Sequence, residues 1–202
     1  MLMLVTTSWA QKPEKGKYVA ESLSAFIPKG YIIANNASVD LNADSLPDKL
    51  LVIEVDPDLD SIELTKLSDA KVDVTARPVI LLIRQKNGLL KQVKRNDYII
   101  QYEAYWAGSI TRVDPFSGSN AGTGRFSFGF ASRGGGQNCE RTITFSYNRK
   151  ADDWYLTQIV NMCSDENPSG EPYWGPPKEA GRRTPKEFGL VSFSEYNYDK
   201  PY

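Results

Sequence analysis

The stretch YIIANNASVDLNADSLPDKLLVIEV, residues 31–55, holds two strand-like runs with a polar connection between them. Residues 31–39 and 49–55 are short, rich in apolar and β-branched residues and bounded by turn-forming residues, which is the pattern of β-strands. The connection, residues 40–48, carries four side chains that end in a carboxylate or an amide: Asp40, Asn42, Asp44 and Asp48. The sequence therefore predicts two neighbouring strands joined by a loop rich in oxygen-bearing side chains.

The same strand pattern recurs along most of the chain. Further short runs of this kind occupy residues 78–85, 89–96, 124–131, 140–148 and 153–162. Asn87-Gly88, between two of these runs, predicts a tight hairpin because both residues tolerate positive φ. We therefore expect a mainly β protein (a β-rich α+β fold) with antiparallel sheets built from hairpins, in a single domain of residues 11–202.

Several segments do not fit this strand pattern. We expect a short N-terminal helix over residues 14–26, stopped by Pro28, and a helical turn within residues 61–70. The glycine-rich residues 117–137 predict flexible turns flanking one strand. Residues 165–185, rich in proline, glycine and charge, predict a surface excursion, and residues 188–193 predict a final strand.

Composition excludes several classes of function. The 202-residue chain has 24 Lys and Arg against 25 Asp and Glu, so it has no basic excess, and we expect no nucleic-acid partner. It contains no histidine, which excludes Ser-His-Asp and Cys-His catalysis and any imidazole zinc site. Chemistry based on carboxylates, Tyr, Lys or a bound ion stays open.

The two cysteines flank a predicted hairpin that turns near Ala151. Antiparallel pairing around that turn places Cys139 opposite Cys163 and Tyr147 opposite Tyr155. Directly opposed residues have α-carbons about 4.5–5.5 Å apart, which is within disulfide reach. We expect a Cys139–Cys163 disulfide; two free buried thiols are the alternative.

The first ten residues predict an exported protein. Residues 1–10 are apolar or small and uncharged, and Ser8 and Ala10 are small residues at −3 and −1 to a cut before Gln11, as a signal peptidase requires. We expect residues 1–10 to be a signal-peptide remnant; a short hydrophobic first strand is the alternative. No other run approaches the roughly 18 apolar residues of a membrane helix, so we expect no transmembrane span. Export agrees with a disulfide, because disulfides persist in oxidising compartments.

The spacing of residues 40–48 predicts a calcium site. Oxygen side chains fall at loop positions 1, 3, 5 and 9, and position 7 offers a main-chain carbonyl, so that the ligands are Asp40, Asn42, Asp44, Leu46 and Asp48. Ca²⁺ accepts an irregular oxygen shell of this kind, whereas Mg²⁺ requires a stricter octahedron. A polar turn without a metal is the alternative.

The loop is not an EF-hand. Position 6 is Ser45 where an EF-hand has Gly, and position 12 is Leu51 where it has a bidentate Glu. The connection strand–DxNxDxxxD–strand instead resembles the calcium loop of FG-GAP (VCBS-type, integrin-α-like) repeats. That resemblance implies that Asp40, Asn42, Asp44 and Asp48 are ligands; a single loop is too few for a propeller.

Most of residues 26–193 also resembles a group of exported bacterial proteins that carry one such loop. The similar pieces are IPKGYII, RPVILLIRQKNGLLKQVKRND, DPF at residues 114–116, FSYNRKADDWYL and TPKEFGLVSF. This resemblance implies a location in the bacterial envelope, periplasmic or extracellular, and a calcium ion, but no reaction.

Two further clusters suggest carbohydrate chemistry. An aromatic platform for sugar rings is predicted from Tyr98, Tyr102, Tyr105 and Trp106, with Tyr173 and Trp174. A carboxylate pair for glycoside hydrolysis is available among Glu54, Asp56, Asp58, Asp60 and Glu63. Cross-strand packing of the aromatics and a solvated acidic loop are the simpler interpretations.

We therefore expect an exported calcium-binding protein of the bacterial envelope that is not an enzyme and binds a partner, either another envelope protein or a polysaccharide. The calcium ion is expected to be structural, since its ligands come from one loop joining two strands. The alternatives are an immunity or inhibitor protein against a secreted toxin, and a carbohydrate-binding protein or carboxylate-based carbohydrate-active enzyme.

Overall fold

The structure is a computed structural model, and it describes residues 19–69, 76–101, 104–105, 112–114, 116–134, 136–165 and 176–202. The predicted signal remnant, residues 1–10, lies outside these ranges. Within them the protein is mainly β, as the sequence predicts, and it contains two five-stranded antiparallel sheets. None of the helices in these ranges is long and apolar enough to cross a membrane.

The first sheet has the strand order β1-β5-β4-β3-β2. Its strands are β1 (Val19–Ala20), β2 (Tyr31–Val39), β3 (Asp48–Val55), β4 (Ala76–Arg84) and β5 (Leu90–Gln101). A tight turn at Gly88, where φ is 86°, joins β4 to β5, as the Asn87-Gly88 pair predicts.

The second sheet has the strand order β12-β11-β10-β9-β8. A separate two-stranded ladder of β6 (Ala104–Tyr105) and β7 (Arg112–Val113) precedes it in the chain. The five strands of the sheet are β8 (Phe116–Gly122), β9 (Arg125–Gly134), β10 (Gln137–Asn148), β11 (Asp153–Asp165) and β12 (Lys178–Arg183).

The central strands of the first sheet are buried on both faces. In β3, Leu50 and Val52 belong to the core shared with the second sheet, while Leu51 and Ile53 face the opposite side. A 3-10 helix, Leu23–Phe26, covers that opposite side and buries its last residue there. This explains why β3 and β4 are continuous apolar runs without strict alternation.

Aromatic rings fill the space between the two sheets. Phe126 and Phe145 stack with ring centroids 5.5 Å apart, and Phe193 contacts both rings edge-on. Tyr196 meets Phe145 edge-on at 5.5 Å. One continuous core therefore joins both sheets and residues near the end of the chain.

Residues 191–202 complete this core without forming a strand. The predicted final strand over residues 188–193 is wrong. A short helix, α2 (Pro185–Phe188), begins there because Thr184 and Glu187 form a capping box, and Gly189 ends it with φ at 77°. Beyond it, one isolated bridge joins Ser192 to β11.

Asn96 holds this last segment in place from β5. Its Nδ2 donates to the carbonyl oxygens of Phe193 (2.5 Å) and Tyr196 (2.8 Å), and its Oδ1 accepts from the main-chain N–H of Tyr98 (2.7 Å). Asn96 is buried, and its two bonds to the carbonyl oxygens of the buried residues Phe193 and Tyr196 satisfy polar groups in the core.

Over the residues that the structure describes, the predicted N-terminal helix is present only in its last turn, the 3-10 helix Leu23–Phe26. Val19 and Ala20 form β1 against β5, and the 3-10 helix then begins after Ser22, whose side chain accepts from the N–H of Ser24. Residues 14–18 lie outside the described ranges. The apolar residues of this segment follow helical spacing only loosely, so pairing with the sheet edge prevails. The predicted helical turn in residues 61–70 is confirmed as α1 (Ser61–Asp69).

The glycine-rich residues 117–137 contain more strand than the expected turns around one strand, because they pair as the β8–β9 hairpin and the start of β10. Gly129 shows why glycine is used in a strand there, since a Cβ at this position would lie 2.4 Å from the Ser117 hydroxyl oxygen. The predicted surface excursion of residues 165–185 likewise contains a strand, since β12 pairs with β11 at the sheet edge.

The β10–β11 hairpin carries the predicted disulfide. Cys139 and Cys163 are directly paired, with their α-carbons 4.1 Å apart, and they are disulfide-bonded. The predicted pairing of Tyr147 with Tyr155 is wrong, because a bulge after Thr144 shifts the register and places Tyr147 opposite Trp154. The bulge adds one residue to β11, which the simple antiparallel count could not include.

Replacing both cysteines with serine should lower the free energy of unfolding. The two residues are 24 apart in sequence, and the chain-entropy estimate for a loop of that size is about 3.5 kcal/mol. Urea denaturation of the oxidised protein and the double variant measures the difference. Equal midpoints and equal slopes would contradict this expectation.

Asn96→Ala should destabilise the protein by about 3 kcal/mol, because it leaves two buried carbonyl oxygens and one N–H without their partner. Asn36→Ala, at an exposed position on the edge strand β2, is the matched control and should change stability by less than about 0.5 kcal/mol. Thermal and urea unfolding compare the two variants. A similar effect of both substitutions would show that Asn96 does not hold the last segment.

Candidate metal centre

The predicted calcium loop connects β2 to β3, whose ladder ends with Val39 opposite Asp48. The side chain of Leu41 is fully buried in the core between the sheets. The indole Nε1 of Trp154, on β11, donates to the carbonyl oxygen of Leu41 at 2.9 Å. The loop is therefore fixed to the second sheet by one apolar side chain and one buried hydrogen bond.

The oxygen side chains of the loop accept hydrogen bonds from its own main chain. Asp40 accepts from the N–H groups of Asp44 (3.0 Å) and Ser45 (2.8 Å). Asn42 Oδ1 accepts from the N–H of Asp44 (3.2 Å), and Asp44 Oδ1 accepts from the N–H of Leu46 (2.9 Å). The main chain thus winds around Asp40, Asn42 and Asp44 and brings their three side chains together.

Two residues of the loop have left-handed backbone conformations. Ala43 has a φ of 58° and Ser45 a φ of 72°, and neither is glycine. Each such residue costs roughly 1–2 kcal/mol relative to a right-handed conformation. The serine that replaces the expected glycine at position 6 therefore adopts the conformation that a glycine would favour, and the loop is tightly wound despite this cost.

Asp48 lies on the inner side of the loop. Its side chain is fully buried, and its two oxygens accept from the N–H groups of Leu41 (2.7 Å) and Arg84 (2.8 Å). The pKa of Asp48 is raised above its usual value, mainly because the carboxyl group is buried. The two main-chain hydrogen bonds act in the opposite direction, and the charges of Asp44 and Asp40 raise the pKa further. Asp48 thus ties the loop to the end of β4, whereas Asp44 is exposed to solvent.

The loop also contacts the turns of the second sheet. The N–H of Gly124 donates to the carbonyl oxygen of Asp40 (2.8 Å), and Arg149 Nη2 donates to the carbonyl oxygen of Ala43 (2.8 Å). Beside them, Tyr147 donates its hydroxyl to Asp152 at 2.5 Å. Burial, together with this hydrogen bond, raises the pKa of Tyr147 to about 12. Loop 40–47 and the turn of residues 149–152 therefore form one surface.

The donor chemistry of the loop fits a hard cation. Asp40, Asn42 and Asp44 offer carboxylate and amide oxygens, with no sulfur or imidazole ligand among them, which suits Ca²⁺ or Mg²⁺ better than zinc or copper. In the described ranges, no group of three or more carboxylates or cysteines is arranged as a metal site. The conformation brings together two carboxylates and one amide, with the third carboxylate turned inward.

The residues suggested for carbohydrate chemistry do not form a described cleft. Tyr98 is exposed, and the side chains of Tyr102, Tyr105, Trp106, Tyr173 and Trp174 lie outside the described part of the structure. Glu54 is paired with Arg77 at 2.8 Å. Asp60 accepts from two N–H groups at the start of α1, and Asp56 accepts from the N–H of Asp58.

Sequence reasoning missed three residues that position the loop. Trp154 and Arg149 lie 113 and 106 residues from the carbonyl groups they contact. Arg84 lies 36 residues from Asp48. No local pattern marks these contacts, because they depend on how the two sheets pack together.

Comparisons of the chain with protein-family models, curated proteins and solved structures found no match.

Asp48→Asn should destabilise the protein in the presence of EDTA. An amide offers one acceptor oxygen, so its NH₂ group would face the N–H of Leu41 or Arg84, and we expect a loss of about 2–3 kcal/mol. Asp58→Asn, at an exposed turn, is the control and should have little effect. Urea denaturation in EDTA measures both. An unchanged midpoint for Asp48→Asn would contradict a structural role for this carboxylate.

Proposed function

We propose that this protein is an exported calcium-binding protein of the bacterial envelope that acts by binding a partner, not by catalysis. The observation that carries the proposal is the loop of residues 40–48, in which main-chain N–H groups orient the oxygens of Asp40, Asn42 and Asp44 around one turn. These side chains, with the carbonyl of Leu46, would hold Ca²⁺, and Asp48 would shape the loop from within and add negative charge.

The role of the ion would be structural. Bound Ca²⁺ supplies positive charge, which would offset the repulsion between Asp40 and Asp44. The free energy of binding would also offset the cost of the left-handed conformations of Ala43 and Ser45. The loop already contacts Trp154 and Arg149 of the second sheet. A filled site would therefore stiffen the corner at which the two sheets meet, including the turn of residues 149–152.

Export is supported by the disulfide of Cys139 and Cys163. Bonds of this kind form and persist in oxidising compartments and are rare in reducing ones. Extracellular and periplasmic sites also meet enough calcium for weak loops to fill, since extracellular calcium modules bind with Kd values of about 0.1–1 mM.

A binding role is supported by the absence of histidine from the whole sequence. Two carboxylates of the loop itself, Asp40 and Asp48, accept hydrogen bonds from the main chain. The partner that we propose is another envelope protein or an envelope polysaccharide, bound by a scaffold that calcium keeps rigid.

Calcium should raise the melting temperature of the purified protein relative to EDTA. For a Kd of about 10 μM, which is tighter than that of the weak extracellular modules, 1 mM Ca²⁺ adds about 2.7 kcal/mol by mass action. In a domain of this size that corresponds to about 5–10 °C. Mg²⁺ at the same concentration should have a smaller effect, because it loses its water less readily.

Asp44→Ala should remove most of the calcium-dependent shift while leaving the melting temperature in EDTA close to that of the native protein, because Asp44 is exposed. Asp58→Ala, an exposed aspartate outside the loop, should keep the full shift. Superimposable melting curves of the native protein in EDTA and in millimolar calcium would refute the calcium site.

A further inference from the structure

Arg141 lies on β10 between Phe130 of β9 and Asn161 of β11. Its guanidinium carbon lies 5.5 Å from the centre of the Tyr198 ring, in the segment that completes the core. The Nε atom of Arg141 is buried and has no hydrogen-bond partner. Within the described ranges, its guanidinium forms no ion pair, so a positive charge stands at the edge of the core without an anion.

Tyr196 presents a second donor without a partner in the same region. Only 1% of the residue is exposed, and its hydroxyl is buried with no hydrogen-bond partner. Its ring is held between Phe145 (5.5 Å) and Tyr202 (4.9 Å). Burial raises the pKa of Tyr196 to about 12, and the charge of Arg141 acts in the opposite direction, as expected for neighbouring groups.

Arg141 and Tyr196 supply the two buried side-chain polar atoms without a partner in the described part of the chain. Folded proteins pair nearly all such groups, and each unpaired donor is costly. Arg141 Nε can only donate, whereas the Tyr196 hydroxyl can donate or accept, and no hydrogen bond joins the two atoms. A third group that accepts from both of them would satisfy the pair.

We propose that Arg141 and Tyr196 form a binding site for a small carboxylate. A carboxylate is planar and has two acceptor oxygens, which match the parallel N–H groups of a guanidinium. The Tyr196 hydroxyl would donate to one of the same oxygens. Phe130 and Tyr198, whose rings are 5.2 Å apart, would contact an apolar group attached to the carboxylate.

This site is separate from the calcium loop. Arg141 and Tyr147 are six residues apart on β10, which is about 20 Å along a strand, and Tyr147 is the residue that lies beside the loop. Carboxylate binding therefore goes beyond the proposed calcium function, and its failure in an experiment would leave that function untouched.

Isothermal titration of the whole protein with sodium acetate and sodium benzoate tests the proposal, with sodium chloride at equal ionic strength as the reference. We expect saturable 1:1 binding of the carboxylates, with benzoate tighter because of the aromatic rings, and none of chloride. Arg141→Gln should weaken binding at least tenfold, and Tyr196→Phe about tenfold. Arg125→Gln and Tyr98→Phe, at exposed positions, should bind as the native protein does.

A stability measurement separates loss of binding from loss of folding. Without ligand, Tyr196→Phe should melt at or slightly above the temperature of the native protein, because it removes a buried hydroxyl that has no partner. Benzoate should then raise the melting temperature of this variant less than that of the native protein. The proposal is overturned if neither carboxylate binds saturably, or if the Arg141→Gln and Tyr196→Phe variants bind as tightly as the native protein.

Discussion

The packing of aromatic rings between the two sheets is the interaction on which the rest of the structure depends. Phe126 and Phe145 of the second sheet meet Phe193 and Tyr196 of the last segment, and this aromatic layer covers the aliphatic face of β3 and β4. Aromatic side chains bury large areas and prefer the stacked and edge-on contacts seen here. The loop of residues 40–48 takes its position from the same core, because the side chain of Leu41 is buried in it.

The sequence predicted the strands well because they depend on local pattern. The runs around β3 and β4 are apolar enough to be recognised alone. The predicted pairing of Cys139 with Cys163 has the correct register for β10 and β11 as far as Ile143. The pairing nearer the turn could not be predicted, since the bulge after Thr144 has no local marker. Residues 188–193 were predicted to be a strand because they are apolar. The core requires apolar side chains at this place, but they are buried there without pairing of the backbone as a strand.

The candidate metal centre was predictable in its residues but not in their arrangement. The spacing of Asp40, Asn42 and Asp44 anticipates a turn that winds around oxygens, and their hydrogen bonds have that form. The inward position of Asp48 was not predictable, because it depends on Arg84 of a strand that pairs with β3 from another part of the chain. No sequence pattern marks Arg141 and Tyr196, since groups without hydrogen-bond partners can be recognised only when their surroundings in the fold are known.

The bonds from Asn96 span 97 and 100 residues of sequence to reach Phe193 and Tyr196. Contacts between such distant parts of a chain make folding slow, because the long intervening loop must close before they form. The segment that completes the core also follows every strand of both sheets. A chain that is still being synthesised thus lacks two rings of its central aromatic layer, Phe193 and Tyr196. Such a delay leaves the two sheets without their complete shared core until the last segment is made, and a chain truncated before Phe193 would expose the rings of Phe126 and Phe145 that pack against it.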